Sequence, residues 1–186
     1  VERSALNYKR TTLGAKMKFC YADPPYLNQG KKLYGYPMWD DLETHRAMIE
    51  RMCQCYPDGW ALSASSPSLR LILPLCPPDV RVASWVKPFH AYKKGVRPAY
   101  AWEPVIYRGG RNTNHPPPAK GGKATTPKDW IACNITLKKG LTGAKPEPVC
   151  EWIISLLNPL PADEFRDIFP GTGVFGRVWD RVRKAP

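Results

Sequence analysis

One stretch constrains the fold of this chain more than any other: residues 17–22, Met-Lys-Phe-Cys-Tyr-Ala, followed by Asp23-Pro24-Pro25-Tyr26. The first part is rich in β-prone residues, which predicts a strand. Because prolines have no N–H group and hold the backbone extended, their carbonyl oxygens can face outward as acceptors. The stretch therefore predicts a strand that presents the Asp23 carboxylate and the Tyr26 ring at its carboxyl end.

Such a group of side chains suits chemistry on the exocyclic amine of a planar ring. The lone pair of that amine is delocalised into the ring. Acceptors on its N–H bonds stabilise the positive charge that grows as the nitrogen attacks an electrophile. The face of Tyr26 would stack on the ring and fix its position. The alternative is a strand that ends in an ordinary Asp-Pro turn.

Further motifs give a specific resemblance. Asp23-Pro24-Pro25-Tyr26 resembles the catalytic motif of the amino-methyltransferases, which use S-adenosylmethionine to methylate adenine N6 or cytosine N4. Residues 167–173, Asp-Ile-Phe-Pro-Gly-Thr-Gly, resemble the Phe-x-Gly-x-Gly cofactor loop of that family. Gly143-Ala144-Lys145-Pro146, before an apolar helix, is similar to the segment preceding that loop. The motif order resembles the permuted β class, in a short form like those of bacteria and phages.

The resemblance implies a Rossmann-like α/β methyltransferase fold with a circularly permuted motif order, in which S-adenosylmethionine lies across the carboxyl ends of the strands. It implies catalytic roles for Asp23, Pro24, Pro25 and Tyr26. The residues it implies for cofactor binding are Asp23, Lys145, Asp167, Phe169, Gly171, Thr172 and Gly173. Asp at the first position of the motif favours adenine, because the related cytosine N4 enzymes more often carry Ser there.

The charge balance points to a polyanionic partner. The chain has 28 Lys and Arg residues against 16 Asp and Glu, a formal net charge of +12, and its cations gather in patches. This pattern is typical of nucleic-acid binding. The residues that we expect to contact DNA, or RNA, are Lys31, Lys32, Lys93, Lys94, Arg108, Arg111, Lys120 and Lys123. The alternative is a basic surface that serves only solubility.

The length of 186 residues suits a single methyltransferase domain. Residues 1–16 are polar and lack periodicity, which predicts a loosely held arm. Residues 27–37 predict a mobile loop beside the active site, with aromatics that stack on bases or pack within the loop. Residues 108–130 are basic and rich in Gly and Pro, so they predict an irregular loop, either the target-recognition loop or an inert insertion.

Apolar periodicity predicts a helix from Asp40 or Asp41 and others over residues 66–73, 146–157 and 174–183. The strand patterns predict a sheet of about five strands, without the last strands of the usual fold. The family's acidic ribose-binding residue has no match before Pro186, so either Asp167, another acid or a partner subunit replaces it, or the affinity for the cofactor is weak. With the cofactor-loop strand at the sheet edge, a homodimer is expected. Lys87 and Glu103 either line the site or form a salt bridge.

The six cysteines have neither CxxC pairs nor histidines at zinc spacing, which predicts free thiols, no disulfide and no metal. No apolar run approaches the roughly 20 residues that a membrane span requires. The N-terminus also lacks a signal-peptide pattern. We therefore expect no membrane partner and a location in the cytoplasm of a bacterial or phage-infected cell.

Together these features predict a site-specific DNA methyltransferase that acts on adenine N6, with S-adenosylmethionine as cofactor and the target base flipped out of the duplex. Three alternatives remain open. They are an RNA adenine N6 methyltransferase, a cytosine N4 methyltransferase and a non-catalytic nucleic-acid-binding module.

Overall fold

Six strands and four α-helices make up the part of the chain that the computed structural model describes, residues 16–89, 94–111, 126–136 and 144–185. The strands are β1 (Lys18–Ala22), β2 (Gly59–Ser63), β3 (Arg81–Val86), β4 (Trp102–Gly109), β5 (Trp130–Ala132) and β6 (Glu164–Asp167). The helices are α1 (Leu42–Cys55), α2 (Leu69–Ile72), α3 (Glu147–Leu157) and α4 (Val174–Val182). The predicted N-terminal arm and most of the predicted recognition loop lie outside the described residues.

The strands form one mixed sheet in the order β5-β3-β4-β2-β1-β6. Strand β1 pairs in parallel with both β2 and β6, whereas β4 runs antiparallel to β2 and β3. The sheet has six strands where about five were expected, and the three-residue strand β5 pairs in parallel with β3. Strand β6 lies at an edge of the sheet in the described part of the chain, as the sequence predicted.

Apolar side chains on both faces of the sheet explain why helices cover each side. Phe19 and Tyr21 join the core formed with α3 and α4, while Cys20 and Ala22 join the core formed with α1 and α2. This is the two-sided burial of a strand in the middle of an α/β sheet. Because β1 is covered on both faces, its carboxyl end, with Asp23 just beyond, is where its residues can reach a ligand.

The helix predicted over residues 66–73 is shorter than expected. It consists of a 3-10 turn (Ser66–Ser68), the single α-helical turn α2 and a second 3-10 turn (Leu73–Leu75). Pro74 has no N–H to donate, so the α-helical hydrogen-bond pattern cannot continue through this position. The other three predicted helices are present, and Asp41 directly precedes α1.

The loop predicted over residues 27–37 contains local structure, a π-helical turn (Gly30–Tyr34) and a 3-10 turn (Pro37–Asp40). Asp40 holds the two turns together by accepting hydrogen bonds from the backbone N–H groups of Gly30 at 2.8 Å and Lys31 at 3.0 Å. All six cysteines are free thiols. Among the helices of the described residues, none has the length and apolar character needed to cross a membrane.

Candidate active site

A buried lysine holds the Asp23 carboxylate at the carboxyl end of β1. Lys145 Nζ donates to Asp23 Oδ1 at 2.7 Å and to Asp23 Oδ2 at 2.8 Å, although the two residues are 122 positions apart. Lys145 comes from the segment just before α3, and only 7% of its surface is exposed. A carboxylate offers about four lone-pair sites. Asp23 can therefore accept a further hydrogen bond from a ligand while Lys145 stays in place.

Tyr26 connects this pair to a second carboxylate. Its hydroxyl donates to Glu103 Oε2 at 2.8 Å, accepts from Lys145 Nζ at 3.0 Å and lies 3.3 Å from Asp23 Oδ1. Lys145 Nζ is also 3.4 Å from Glu103 Oε2, and Glu103 accepts a hydrogen bond from Lys87. These five residues form one network, named the Asp23 network below, in which two ammonium groups face two carboxylates.

Burial and the network charges shift the pKa values of these groups. Burial raises the pKa of Asp23, and Lys145 opposes the rise. Burial disfavours the Lys145 ammonium, but Asp23 and its other neighbours hold the pKa of Lys145 well above its usual range. Burial also opposes ionisation of Glu103, yet Lys145 and Lys87 keep the pKa of Glu103 below normal. The pKa of Tyr26 is raised well above normal by burial and by Asp23, so its hydroxyl stays protonated.

The two prolines of the motif supply acceptors that nothing else in the described structure uses. Pro24 is buried and Pro25 is half-buried, and neither carbonyl oxygen has a hydrogen-bond donor among the described residues. For the buried residue Pro24, a carbonyl oxygen without a partner is costly. A ligand with N–H groups would satisfy these oxygens.

A cavity of about 340 Å³, the first cavity, opens beside Asp23. Its walls are the end of β1, the loop before α3 and the turn that joins β6 to α4. Its lining includes Asp23, Pro25, Tyr34, Tyr36, Lys145, Asp167, Phe169, Gly171 and Thr172. It therefore brings together most of the residues that the sequence predicted for cofactor binding, and it falls within the roughly 300–1,000 Å³ typical of ligand sites.

The glycines of the turn after β6 have different positions. Gly171 lines the first cavity with φ +47°, and the nearest atom to a Cβ built there would be the Phe169 carbonyl oxygen at 3.8 Å. Gly173 lies outside the lining, at the N-terminal end of α4 with φ +71°, and its Cβ would approach Arg177 Nη1 at 3.2 Å. Both positions are in the left-handed region that favours glycine. Of the two, only Gly171 lines the cavity.

Asp167 is the second carboxylate of the first cavity. Its Oδ1 accepts from the Phe169 backbone N–H at 3.1 Å. Burial raises the pKa of Asp167 to about 6, this hydrogen bond opposes the rise, and the negative charge of Asp23 adds to it. The carboxyl group therefore changes charge close to neutral pH, and a cation in the cavity would favour its ionised form.

Two of the cations predicted to contact nucleic acid form ion pairs with acidic residues of the described structure. Arg111 donates two hydrogen bonds of 2.8 Å to Asp163, and these side chains are 10% and 2% exposed. Arg108 donates to both carboxylate oxygens of Asp79, at 2.8 and 3.0 Å. Their position in a basic loop predicted contact with nucleic acid. Their pairing with acidic residues distant in the sequence depends on how the folded chain packs. Their guanidinium groups are already occupied by carboxylates.

The other predicted cations are divided between the surface and the part of the chain that is not described. Lys31, Lys32 and Lys94 are exposed. Lys93, Lys120 and Lys123 lie outside the described residues, as does Gly143 of the third motif.

Two aromatic residues of the loop after the motif line the first cavity. Tyr34 and Tyr36 were expected to stack on bases or pack within their loop, and that expectation stays a prediction. The hydrogen bonds to Asp40 shape the loop that carries them. Trp39 of the same loop packs edge-on against Phe169 and His45, at ring-centroid distances of 5.0 and 5.4 Å. The aromatic residues predicted a functional loop, but the sequence did not show which cavity these residues would line.

The arrangement of strands and helices is that of DNA methyltransferases of known structure. No protein-family model and no curated protein sequence matches the chain, so the likeness is one of structure. M1.HpyAVI, solved as a complex with SAM, matches with a TM-score of 0.55 at 20% identity, over 90% of this chain and 78% of that one. The cytosine-N4-specific PvuII DNA methyltransferase matches with a TM-score of 0.58 at 15% identity, over 89% and 72%.

A third similar structure is TTHA0409 from Thermus thermophilus, assigned as a DNA modification methylase, with a TM-score of 0.54 at 14% identity. It is matched over 90% of this chain and 77% of that chain. The three matches confirm the predicted α/β methyltransferase fold.

Proposed function

We propose that this protein is an S-adenosylmethionine-dependent DNA methyltransferase that methylates the N6 amine of adenine. The proposal treats residues 1–186 as one domain, with residues 108–130 recognising the target. The observation that carries it is the placement of Asp23 beside the first cavity, with two unused proline carbonyl oxygens in the same segment. A carboxylate and two carbonyls so placed suit an amine that becomes positively charged.

The residues present fit the cofactor. S-adenosylmethionine supplies an electrophilic methyl group on a positively charged sulfur. Asp23 and Asp167 would attract a cation, Phe169 and Tyr34 offer flat faces for a purine ring, and Gly171 lets the backbone approach the ligand closely. The likeness to M1.HpyAVI, which was solved with SAM, supports this assignment.

The catalytic segment would act by holding the acceptor amine. Asp23 and the Pro24 carbonyl would accept its two N–H bonds, which orients the nitrogen lone pair and stabilises the growing positive charge. Lys145 keeps the Asp23 carboxylate in a fixed orientation through its two hydrogen bonds. Tyr26 would provide the face on which the base stacks.

The choice of adenine rests on Asp23 at the first position of the motif, where cytosine N4 enzymes more often have Ser. Cytosine is the second candidate, because a cytosine-N4-specific enzyme is among the similar structures. In either case the acceptor is an exocyclic amine, and Asp23 has the same role.

One experiment tests the proposal and separates these candidates. The protein is incubated with S-adenosylmethionine carrying a labelled methyl group and with mixed-sequence DNA or RNA, and the product nucleosides are identified by mass spectrometry. We expect labelled N6-methyladenine from DNA. N4-methylcytosine, or label only in RNA, would redirect the assignment to another amine or nucleic acid. Absence of transfer together with absence of cofactor binding in calorimetry would favour the binding module.

A homodimer is a further proposal, because β6 is an edge strand in the described sheet and such strands often pair with another chain. Light scattering should give twice the 21.0 kDa of one chain. With a DNA substrate, the protein would act in the cytoplasm of a bacterial or phage-infected cell.

A further inference from the structure

The Asp23 network extends from the first cavity to a second cavity, of about 520 Å³, that shares no lining residue with the first. Asp23 and Lys145 line the first cavity. Tyr26, Lys87 and Glu103 line the second. Glu103 is connected to Asp23 through Tyr26, because the Tyr26 hydroxyl lies within 3.3 Å of an oxygen of each carboxylate.

The Tyr26 hydroxyl has one hydrogen and two carboxylates beside it. Its oxygen is 2.8 Å from Glu103 Oε2 and 3.3 Å from Asp23 Oδ1. Since O–H···O hydrogen bonds are roughly 2.5–3.0 Å long, the hydrogen points to Glu103. Lys145 Nζ, at 3.0 Å, can only donate, so it occupies a lone pair of the hydroxyl oxygen and does not compete for the hydrogen. Asp23 Oδ1 therefore keeps a lone pair that the hydroxyl would otherwise occupy.

Positive charge beside both of its oxygens keeps Glu103 an acceptor. Lys87 donates a hydrogen bond to Oε1, and Lys145 Nζ is 3.4 Å from Oε2. The buried Trp85 ring faces both ammonium groups, with Nζ of Lys87 at 4.7 Å and Nζ of Lys145 at 5.8 Å from the ring centroid. Glu103 itself lies opposite Trp85 in the pairing of β4 with β3. Partners from β3 and from the segment before α3 thus fix this carboxylate.

We propose that Glu103 is a positioning residue that takes the Tyr26 hydrogen and so leaves Asp23 Oδ1 free to accept an N–H of the substrate amine. The inference rests on the proposed function and adds a residue that acts through Tyr26. A salt bridge with Lys87 would need only Oε1 of Glu103. The contact between Oε2 and the Tyr26 hydroxyl is the one that a positioning role requires.

Glu103→Gln tests the direction of this hydrogen bond. Lys87 can only donate, so the amide oxygen of the new side chain should turn toward Lys87 and its NH2 group toward Tyr26. The hydroxyl would then accept from the amide and donate to Asp23 Oδ1. Single-turnover methyl transfer at saturating cofactor and DNA should fall by about fivefold to tenfold, the usual contribution of one hydrogen bond. Cofactor affinity in calorimetry should change little.

Two combined variants separate positioning from a purely structural ion pair. Tyr26→Phe has no hydroxyl to redirect, so adding Glu103→Gln to it should lower the rate by less than about twofold. In Lys87→Met/Glu103→Gln the amide oxygen can turn back toward Tyr26, so this protein should recover much of the rate that Glu103→Gln loses. If Glu103 served only to pair with Lys87, the double variant would be no faster than Glu103→Gln. Independent losses in both combinations would overturn the inference.

Carbon-13 NMR titration of the Asp23 carboxyl group, assigned with Asp23→Asn, needs no methyl transfer. Burial raises the pKa of Asp23 and the charge of Glu103 adds to the rise, so Glu103→Gln should lower this pKa even in the Tyr26→Phe protein. With Tyr26 present the redirected hydrogen bond should lower it further.

The two readouts distinguish this inference from the proposed function. Equal pKa shifts with and without the Tyr26 hydroxyl would overturn the inference, and methyl transfer by the wild-type protein would then leave the proposed function standing. The larger shift with Tyr26, in a protein that transfers no methyl group, would support the positioning of the hydroxyl by Glu103 and reject the methyltransferase.

Discussion

The two cavities beside the segment Asp23–Tyr26 differ in the sign of their charged groups. The charged residues that line the first cavity are Asp23, Asp167 and Lys145, so carboxylates predominate. Lys145 donates both of its shortest hydrogen bonds to Asp23, and Asp167 has no cation partner in the described part of the chain. The first cavity therefore favours a cationic ligand.

The second cavity has the opposite balance, with Lys32, Arg70 and Lys87 against Glu103. Methyl transfer from S-adenosylmethionine to DNA combines a positively charged donor with a negatively charged acceptor. Two adjoining cavities of opposite charge would direct each reactant to its own side of the Asp23–Tyr26 segment. If the proposed function holds, charge would sort the two reactants before any base-specific contact forms.

The largest expected effect comes from Asp23, which belongs to the segment between the two cavities. Asp23→Ala should lower single-turnover methyl transfer at saturating cofactor by about a hundredfold or more, because it removes the acceptor needed as charge develops. Asp23→Asn keeps one acceptor oxygen and should give an intermediate loss. Transfer by Asp23→Ala close to the wild-type rate would contradict the catalytic assignment.

A double variant separates chemistry from charge at the same site. Asp23→Ala leaves the buried Lys145 ammonium beside a cationic ligand, so cofactor binding should weaken as well. Asp23→Ala/Lys145→Met removes both charges and should recover cofactor affinity in calorimetry without recovering methyl transfer. Recovery of neither would mean that Lys145 contributes to the binding site in another way.

Gly171 tests whether the first cavity alone holds the cofactor. Gly171→Val should weaken S-adenosylmethionine binding by about tenfold or more, a cost of about 1.4 kcal/mol, while oligonucleotide binding stays the same. Gly95→Val is the matched control, because Gly95 also has a positive φ, +77°, and open space around its Cβ position. Equal cofactor affinity in the two variants would place the ligand elsewhere.

The pKa of Asp167 predicts a smaller, pH-dependent effect. Ionised Asp167 attracts a cation, so cofactor affinity should rise by a few fold as the pH increases through about 6. The stability of the ligand-free protein should change in the opposite direction. Burial favours the protonated form, and the stability this form contributes is lost as the pH rises through that value. Asp167→Asn should remove both trends, and a wild-type protein without them would contradict the assignment.

The smallest effect on either cavity is expected from Arg111. Arg111→Met breaks a buried ion pair with Asp163 and should lower the free energy of unfolding by about 3 kcal/mol. Arg108→Met, at the more exposed pair with Asp79, should cost no more than about 1 kcal/mol. Neither substitution should alter cofactor affinity. If Arg111→Met changed the salt dependence of oligonucleotide binding, Arg111 would be a nucleic-acid contact after all.

The parts of this site that the sequence predicted are those that local chemistry specifies. A β-prone run ending in Asp-Pro-Pro-Tyr predicts a strand with Asp23 at its carboxyl end. Glycines after a second strand predict a close backbone turn around Gly171. The apolar face of α3 also appears in the spacing of its residues, and Ile153 and Leu157 are fully buried.

The remaining features depend on contacts between residues far apart in the chain. The resemblance marked Lys145 for cofactor binding, but only packing reveals that its ammonium is held by Asp23 across 122 positions. Packing likewise turns Arg111 toward Asp163 and brings Lys32 and Arg70 to one cavity. A charge count predicts an anionic partner but cannot say which cations remain available to bind it.

The most direct test is a structure of the ternary complex with S-adenosylhomocysteine, the demethylated form of the cofactor, and a short single-stranded oligodeoxynucleotide. We predict the cofactor product in the first cavity, between Asp23 and Gly171, and a nucleotide in the second cavity with its base on Tyr26. The adenine amine should lie within hydrogen-bond distance of Asp23. A nucleotide seated in the first cavity, or a base whose amine lies away from Asp23, would contradict this division.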